Sequence, residues 1–78
     1  MIRELDMVAL TRDIEDHGLK QDDIGAVVHK YGKDGFEVEF VTAEGRTIAV
    51  LTLRKDDVRA LREREILHVR DLSQTAHA

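Results

Sequence analysis

Three β-rich segments joined by glycine-containing turns form the centre of this 78-residue chain. Residues 25–31, 36–41 and 47–53 are rich in β-branched and aromatic side chains, and Gly35 and Gly45 stand in the turns between them. Such turns join antiparallel strands because glycine readily takes the left-handed backbone conformation that a tight turn needs. The pattern predicts a small antiparallel meander, with Gly35 and Gly45 at left-handed positions.

The alternation of side chains indicates which faces of these strands are buried. Phe36, Val38 and Phe40 share one face of their strand, and two glutamates occupy the other face. Residues 47–53 are apolar on both faces, which predicts a central strand. Gly25 opens the first of the three segments and is expected where a side chain would collide or where φ is unusual.

The region before these segments predicts one more strand and a long loop. Residues 5–10 are apolar on both faces and are interpreted as a first strand, and residues 13–23 as an ordered loop that Leu19 and Ile24 attach to the core. The core is expected to contain Leu5, Val8, Leu10, Leu19, Ile24, Val27, Val28, Phe36, Val38, Phe40, Ile48, Val50, Leu53, Val58 and Leu61.

The region after residue 53 allows two interpretations. A 3-10 turn at residues 55–57 followed by a strand over 58–61 is one, and a helix over 56–65 with Asp56 as its N-cap is the other. Residues 66–70 could add a sixth strand. Residues 1–70 are predicted to form a single domain, and residues 71–78 a disordered tail.

The order of short motifs along the chain resembles a known family. The motifs are Leu5-Asp6 with Val8 and Leu10, Asp13-Ile14, His17-Gly18-Leu19, Gly25 with Val27-Val28, Phe36-Glu37-Val38-Glu39-Phe40, and Gly45 followed by Leu51-Thr52-Leu53. They resemble a family of small bacterial domains of unknown function whose members are predicted to form SH3-like barrels. The resemblance implies an all-β fold, a small SH3-like barrel of five antiparallel strands with a 3-10 turn before the fifth strand. It implies no catalytic or binding residue.

Composition excludes some functional classes and predicts a location. The chain has no cysteine, so it has neither disulfides nor cysteine-ligated zinc. The first ten residues include Glu4 and Asp6 and lack the apolar core of a secretion signal. The longest apolar run, residues 48–53, is far shorter than the roughly 20 residues of a membrane span. We expect a cytoplasmic protein without membrane association.

The net charge of −4 is unevenly distributed along the chain. Five acidic residues and one base lie in residues 13–23, whereas six bases and four acids lie in residues 54–70. The acidic stretch argues against a general nucleic-acid binder, whose affinity depends on neutralising phosphates. The asymmetry would also suit head-to-tail association or a charged protein partner.

A nucleic-acid function nevertheless remains the alternative. The Gly-x-Val-Val sequence at residues 25–28, followed by an aromatic residue, is similar to the KOW-type motif of ribosomal and transcription-elongation barrels. In that case the phosphate contacts would come from the basic residues Arg54, Lys55, Arg59, Arg62 and Arg64.

No combination of residues predicts catalysis or metal binding. Glu37 and Glu39 share a strand face, but charged strand faces usually prevent edge-to-edge association. The four histidines, His17, His29, His68 and His77, have no metal-ligand spacing. The Arg59, Arg62 and Arg64 cluster alternates with Glu63 and Glu65, which favours internal ion pairs. We predict no enzymatic activity, no catalytic residue, no metal and no cofactor.

Small size, acidic character and the lack of catalytic motifs favour a protein-interaction module. The predicted function is that of an antitoxin-like or immunity-like partner of another bacterial protein, which a neighbouring gene could encode. Association with a second copy would be another way to bury surface in so small a domain. The predicted partner-binding residues are Asp13, Glu15, Asp16, Asp22, Asp23 and Tyr31.

Overall fold

The computed structural model describes residues 1–72 and has an all-β fold, as predicted. The strands are β1 (Met7–Leu10), β2 (Ile24–Tyr31), β3 (Gly35–Val41), β4 (Thr47–Arg54) and β5 (Val58–Ala60). All pairings are antiparallel, in one five-stranded sheet of order β4-β3-β2-β1-β5. Two short 3-10 turns, Glu15–His17 and Lys55–Asp57, interrupt the connections, and the second one precedes β5 as expected.

The short connection between β4 and β5 requires the sheet to curl. Five strands spaced about 4.8 Å apart would put the two edges of a flat sheet about 19 Å apart. The two edge strands, β4 and β5, are joined only by Lys55–Asp57, and a 3-10 turn rises only about 2 Å per residue. The edges must therefore approach each other where β4 ends. Thr11 fastens the turn to the end of β1, because its N–H donates to the Asp57 carbonyl (2.9 Å) and its hydroxyl to the Asp56 carbonyl (2.6 Å).

The curled sheet encloses one apolar core. Its buried cluster is Val8, Leu10, Leu19, Val27, Phe36, Val38, Phe40, Leu53 and Val58, all of which the sequence predicted. Ala9 is also buried and was not among the predicted core residues. Ile24, Ile48 and Leu61, which were also predicted to lie in the core, are half-buried, and Ile48 packs against the buried cluster. Gly25 lies where β2 crosses β3 closely, since a Cβ atom there would be 2.6 Å from Val38 Cγ1. The expected collision at Gly25 is thus confirmed.

The prediction that residues 47–53 form a central strand is wrong, because β4 is an edge strand of the sheet. Its pairing with β3 places Val50 opposite Glu39, and therefore on the outer face. Val50 is 47% exposed, so its predicted place in the core is also wrong. β4 is therefore apolar on both faces although no strand pairs with its outer edge in residues 1–72.

Two other predicted core residues, Val28 and Leu5, are exposed for local backbone reasons. Val27 pairs with Val38 and His29 with Glu37, so Val28 is the extra residue of a β-bulge and is 41% exposed. Leu5 precedes β1 in a left-handed conformation (φ 74°), which turns it outward, and it is 83% exposed.

The left-handed position in the β2–β3 turn belongs to Gly32 and not to Gly35. Gly32 has φ 61°, whereas Gly35 has already entered β3 and pairs with Tyr31. In the β3–β4 turn, Gly45 has φ 88°, as predicted.

Residues 61–72 are here called the C-terminal arm. The sequence allowed a helix over residues 56–65 and a sixth strand over residues 66–70, and the structure has neither. The helix is prevented because Val58 is extended and pairs with Leu10. Residues 73–78 of the expected disordered tail lie outside the described residues. In the described part of the chain, no helix is long and apolar enough to cross a membrane.

Candidate functional site

The loop between β1 and β2, residues 13–23, is ordered and is here called the acidic loop. Ile14 and Leu19 pair across it through two backbone hydrogen bonds of 2.8 and 3.1 Å, and Leu19 is buried in the core. The 3-10 turn Glu15–His17 lies between them and ends at Gly18 (φ 68°). The loop is thus a fixed projection of the fold, as the sequence predicted from Leu19.

Three of the five predicted loop acids make contacts inside the fold. The Gln21 N–H donates to Asp13 Oδ1 (2.8 Å), which closes the base of the loop. Asp22 Oδ1 lies 3.6 Å from the Arg59 guanidinium. Asp23 accepts the Lys20 N–H at Oδ2 (2.9 Å), and its main chain pairs with Leu10.

Asp23 also anchors the C-terminal arm through Arg70. Arg70 donates from Nε to Oδ1 (2.8 Å) and from Nη2 to Oδ2 (2.5 Å), and its Nη2 also reaches the Gly18 carbonyl (2.8 Å). Burial acts to raise the pKa of Asp23, but the hydrogen bonds from Arg70 and the Lys20 N–H outweigh it and hold that pKa below its ordinary value. The Asp23 charge is therefore largely neutralised from within the molecule.

Glu15 and Asp16 are the two loop acids whose side chains make no hydrogen bond or ion pair within residues 1–72. Both are exposed on the 3-10 turn, and neither has an ion-pair partner within residues 1–72. Two adjacent carboxylates on a fixed turn form a small negative surface that a cationic group can approach without displacing an existing partner.

Tyr31 lies at the opposite end of β2 from the acidic loop. The strand runs from Ile24 to Tyr31, which at about 3.3 Å per residue separates them by about 23 Å. Tyr31 is half-exposed within a cluster of its own, which we call the Tyr31 cluster: Glu4, His29, Tyr31 and Glu37. The structure therefore does not bring Tyr31 together with the five loop acids.

The Tyr31 cluster consists of an edge-to-face ring contact and two polar contacts. The His29 and Tyr31 ring centroids are 4.4 Å apart, and the Tyr31 hydroxyl donates to Glu37 Oε1 (3.3 Å). His29 Nδ1 is 3.5 Å from Glu4 Oε2. Burial and the nearby Glu37 carboxylate raise the pKa of Tyr31.

The Glu37 and Glu39 carboxylates do not converge on a shared point. Glu37 accepts from Tyr31, whereas Glu39 Oε2 accepts from the Thr47 hydroxyl (2.7 Å). Each is thus engaged with a separate neighbour. Among residues 1–72, moreover, no three histidine or acidic side chains are placed to hold a metal ion, and His77 lies outside that range.

The basic segment that the sequence singled out is partly self-paired, as predicted. Arg59 makes a two-pronged contact with Glu65, from Nη1 to Oε1 (2.9 Å) and from Nη2 to Oε2 (2.7 Å). The Arg62 N–H also donates to Glu65 Oε1 (2.6 Å). These hydrogen bonds lower the pKa of Glu65 to about 2, and the hydrogen bond to Glu65 raises the pKa of Arg59. Arg62 and Arg64 are exposed.

The C-terminal arm is attached by its ion pairs more than by apolar packing. Between the anchors at Glu65 and Arg70, the side chains of Ile66 and Val69 are each 90% exposed. A groove of about 530 Å³ separates the arm from Phe40 and Ile48 of the sheet.

Sequence reasoning missed the anchoring roles of Arg70 and Glu65. Arg70 is 47 residues from Asp23 in the chain, so no local pattern could pair them. The one sequence feature that indicates these contacts is the charge asymmetry between residues 13–23 and 54–70. Part of this opposite charge forms ion pairs within the molecule, between Arg59 and Asp22 and between Arg70 and Asp23.

The chain matches one known protein family over most of its length. Residues 4–60, from just before β1 to the end of β5, match the family model described as "Domain of unknown function (DUF4926)". No curated protein and no solved structure matches the chain significantly. The protein belongs to the DUF4926 family of domains of unknown function, and the C-terminal arm lies beyond the matched region.

Proposed function

We propose that this protein is a non-enzymatic module that binds another bacterial protein, in the manner of an antitoxin-like or immunity-like partner. The contact surface of the module is the 3-10 turn Glu15–His17 of the acidic loop. The observation that carries the proposal is the exposed pair Glu15 and Asp16, which lies on an ordered turn and has no ion-pair partner in residues 1–72.

The order of the loop supports this function because a preformed surface loses little conformational entropy on binding. Leu19 is buried, and the two hydrogen bonds between Ile14 and Leu19 fix the turn from below. Asp22 and Asp23 are paired with arginines of the same chain, and Asp13 holds the base of the loop through the Gln21 N–H.

The chemistry of the turn selects a basic partner. Adjacent carboxylates attract lysine and arginine side chains, and their field accelerates the encounter of oppositely charged proteins. A toxin with a basic, phosphate-binding surface has this character, and the product of a neighbouring gene is the first protein to test.

The decisive experiment measures association kinetics with that partner. The variant Glu15→Lys/Asp16→Lys reverses the two outward charges and leaves the Asp22 and Asp23 ion pairs in place. We expect its association rate to fall by about tenfold or more at low salt, and to depend less on salt than the wild-type rate.

A matched control separates a local contact from a change in net charge. Glu44→Lys/Glu63→Lys alters the net charge by the same amount at two exposed residues outside the loop. The control should associate at close to the wild-type rate. Equal slowing of both variants, or of neither, would exclude the turn as the contact surface.

The same preparation tests the two alternatives to this function. Steep, salt-dependent binding of RNA or DNA would favour the nucleic-acid role, in which the exposed Arg62 and Arg64 would contact phosphates. The pairing of Arg59 with Glu65 leaves fewer free cations for that role. Hydrolytic turnover abolished by Glu37→Gln or Glu39→Gln would show an enzyme instead.

A further inference from the structure

The outer edge of β4 lacks most of the devices that keep sheet edges from pairing. The strand is eight residues long, and residues 47–53 include no charged side chain and no proline. Its one irregularity is a bulge at Ile48, because Phe40 pairs with Ala49 and Val41 with Thr47. From residue 49 onward the strand is regular, and within residues 1–72 its outer edge pairs with no other strand.

The core is also incompletely covered along this edge. Ala49 and Leu51 pair with the buried residues Phe40 and Val38, so their side chains point inward. Both nevertheless remain half-exposed, whereas their partners on β3 are buried. The apolar side chains of β4 therefore lack a neighbour on the side where the next strand would lie.

We propose that two copies of this chain associate through β4, which pairs antiparallel with β4 of the second copy. The regular part of the strand is compatible with two-fold symmetry centred on Leu51. In that register Ala49 faces Leu53 of the second copy, and Val50 faces Thr52 on the outer face. The two five-stranded sheets then join into one continuous sheet, and Leu51 meets its own counterpart.

The composition of the edge favours a second copy over another occupant. The regular pairs of this register lie in residues 49–53 and contain no charge, although each chain carries a net charge of −4. The next residue, the exposed Arg54, would face the bulge at Ile48 and lies at the end of the contact. Val50 and Thr52 are β-branched and pack well as cross-strand neighbours. A charged partner segment would find no complementary group among these residues.

The expected dimer is concentration-dependent. Five paired residues extend only about 17 Å along the strand, which places the contact at the low end of protein interfaces. Its formation does not involve Glu15 or Asp16, so this inference is independent of the proposed function.

Sedimentation equilibrium over an about hundredfold range of concentration tests the inference. We expect the average mass of the wild-type protein to rise from one chain towards two. The variant Val50→Lys/Thr52→Lys places like charges opposite each other across the two-fold axis, since residue 50 of one copy faces residue 52 of the other. Its dimerisation should weaken by at least about tenfold.

The control for this experiment is Val28→Lys, because Val28 has a similar exposure but lies on the interior strand β2. It should dimerise like the wild type. Amide exchange provides a second readout: the β4 amides that face away from β3 should exchange more slowly as the concentration rises. A wild-type protein that stays monomeric throughout the range would overturn the inference. Unchanged dimerisation of the double variant, or an equal loss in the control, would overturn it as well.

Discussion

The close approach of β2 and β3 at Gly25 makes Gly25→Ala the sharpest test of the packing. A Cβ atom there would lie 2.6 Å from Val38 Cγ1, 2.8 Å from Phe40 Cε2 and 3.0 Å from the Glu39 carbonyl oxygen. Ordinary carbon–carbon contacts lie at about 3.5–4.0 Å. The neighbours would therefore have to retreat by about 1 Å within a hydrogen-bonded strand pair.

The expected loss of stability follows from two opposing terms. Overpacking of this kind costs about 3 kcal/mol, whereas replacing glycine by alanine in a strand recovers about 1 kcal/mol of backbone entropy. The net loss is about 2 kcal/mol, out of a total of about 4–12 kcal/mol for a domain of this length. The melting temperature should fall by about 8–16 °C.

Thermal and urea unfolding measure the effect, and two further variants identify its cause. In Gly32→Ala the added Cβ atom has no other atom within 4 Å, so its loss of stability measures only the backbone strain of alanine at φ 61°. Val38→Ala removes the nearest methyl group, so its loss and that of Gly25→Ala should be less than additive in the double variant. A melting temperature unchanged by Gly25→Ala, or strictly additive losses, would refute this account of the packing.

Three further predictions concern the ionised groups. Arg70→Ala should destabilise the fold by about 1–2 kcal/mol, because it leaves the Asp23 carboxylate without its partner, and limited trypsin digestion should cut the C-terminal arm faster. Because the folded pKa of Glu65 is about 2 instead of 4.5, its stabilising contribution is present above pH 4.5 and is lost as the pH falls towards 2. Urea unfolding at several pH values should show this slope for the wild type and a flatter one for Glu65→Gln. Glu37→Gln should lower the pKa of Tyr31 towards 10.0, which absorbance titration of this single tyrosine detects.

The strands were predictable where local chemistry decides them. The observed β3, Gly35–Val41, differs from the predicted strand by one residue, because the alternation of Phe36, Val38 and Phe40 sets both its extent and its inner face. For the segment before β5 the residues allow two structures, a 3-10 turn or a helix, since Asp56 can also act as the N-cap of a helix. The family resemblance, rather than the residues themselves, favoured the turn.

The errors arise where exposure depends on partners distant in the chain. Val50 looked like a core residue because β4 is apolar on both faces, but the strand lies at an edge. The bulge that turns Val28 outward depends on how β2 aligns with β3, which hydrophobicity alone does not encode. In the acidic loop, the sequence identified the acids but not their use, because Asp23 pairs with a residue 47 positions away.

The charge of the acidic loop depends on the whole chain and not only on the family domain. The matched region ends at residue 60, yet the partner of Asp23 is Arg70 in the C-terminal arm. The arm also contributes Glu65, which holds the Arg59 guanidinium beside Asp22. A chain ending at residue 60 would therefore expose the Asp23 charge and loosen the pair at Asp22. The arm thus pairs the charges of Asp22 and Asp23 inside the molecule, and it leaves Glu15 and Asp16, the two residues that the proposed function uses, without a partner in residues 1–72.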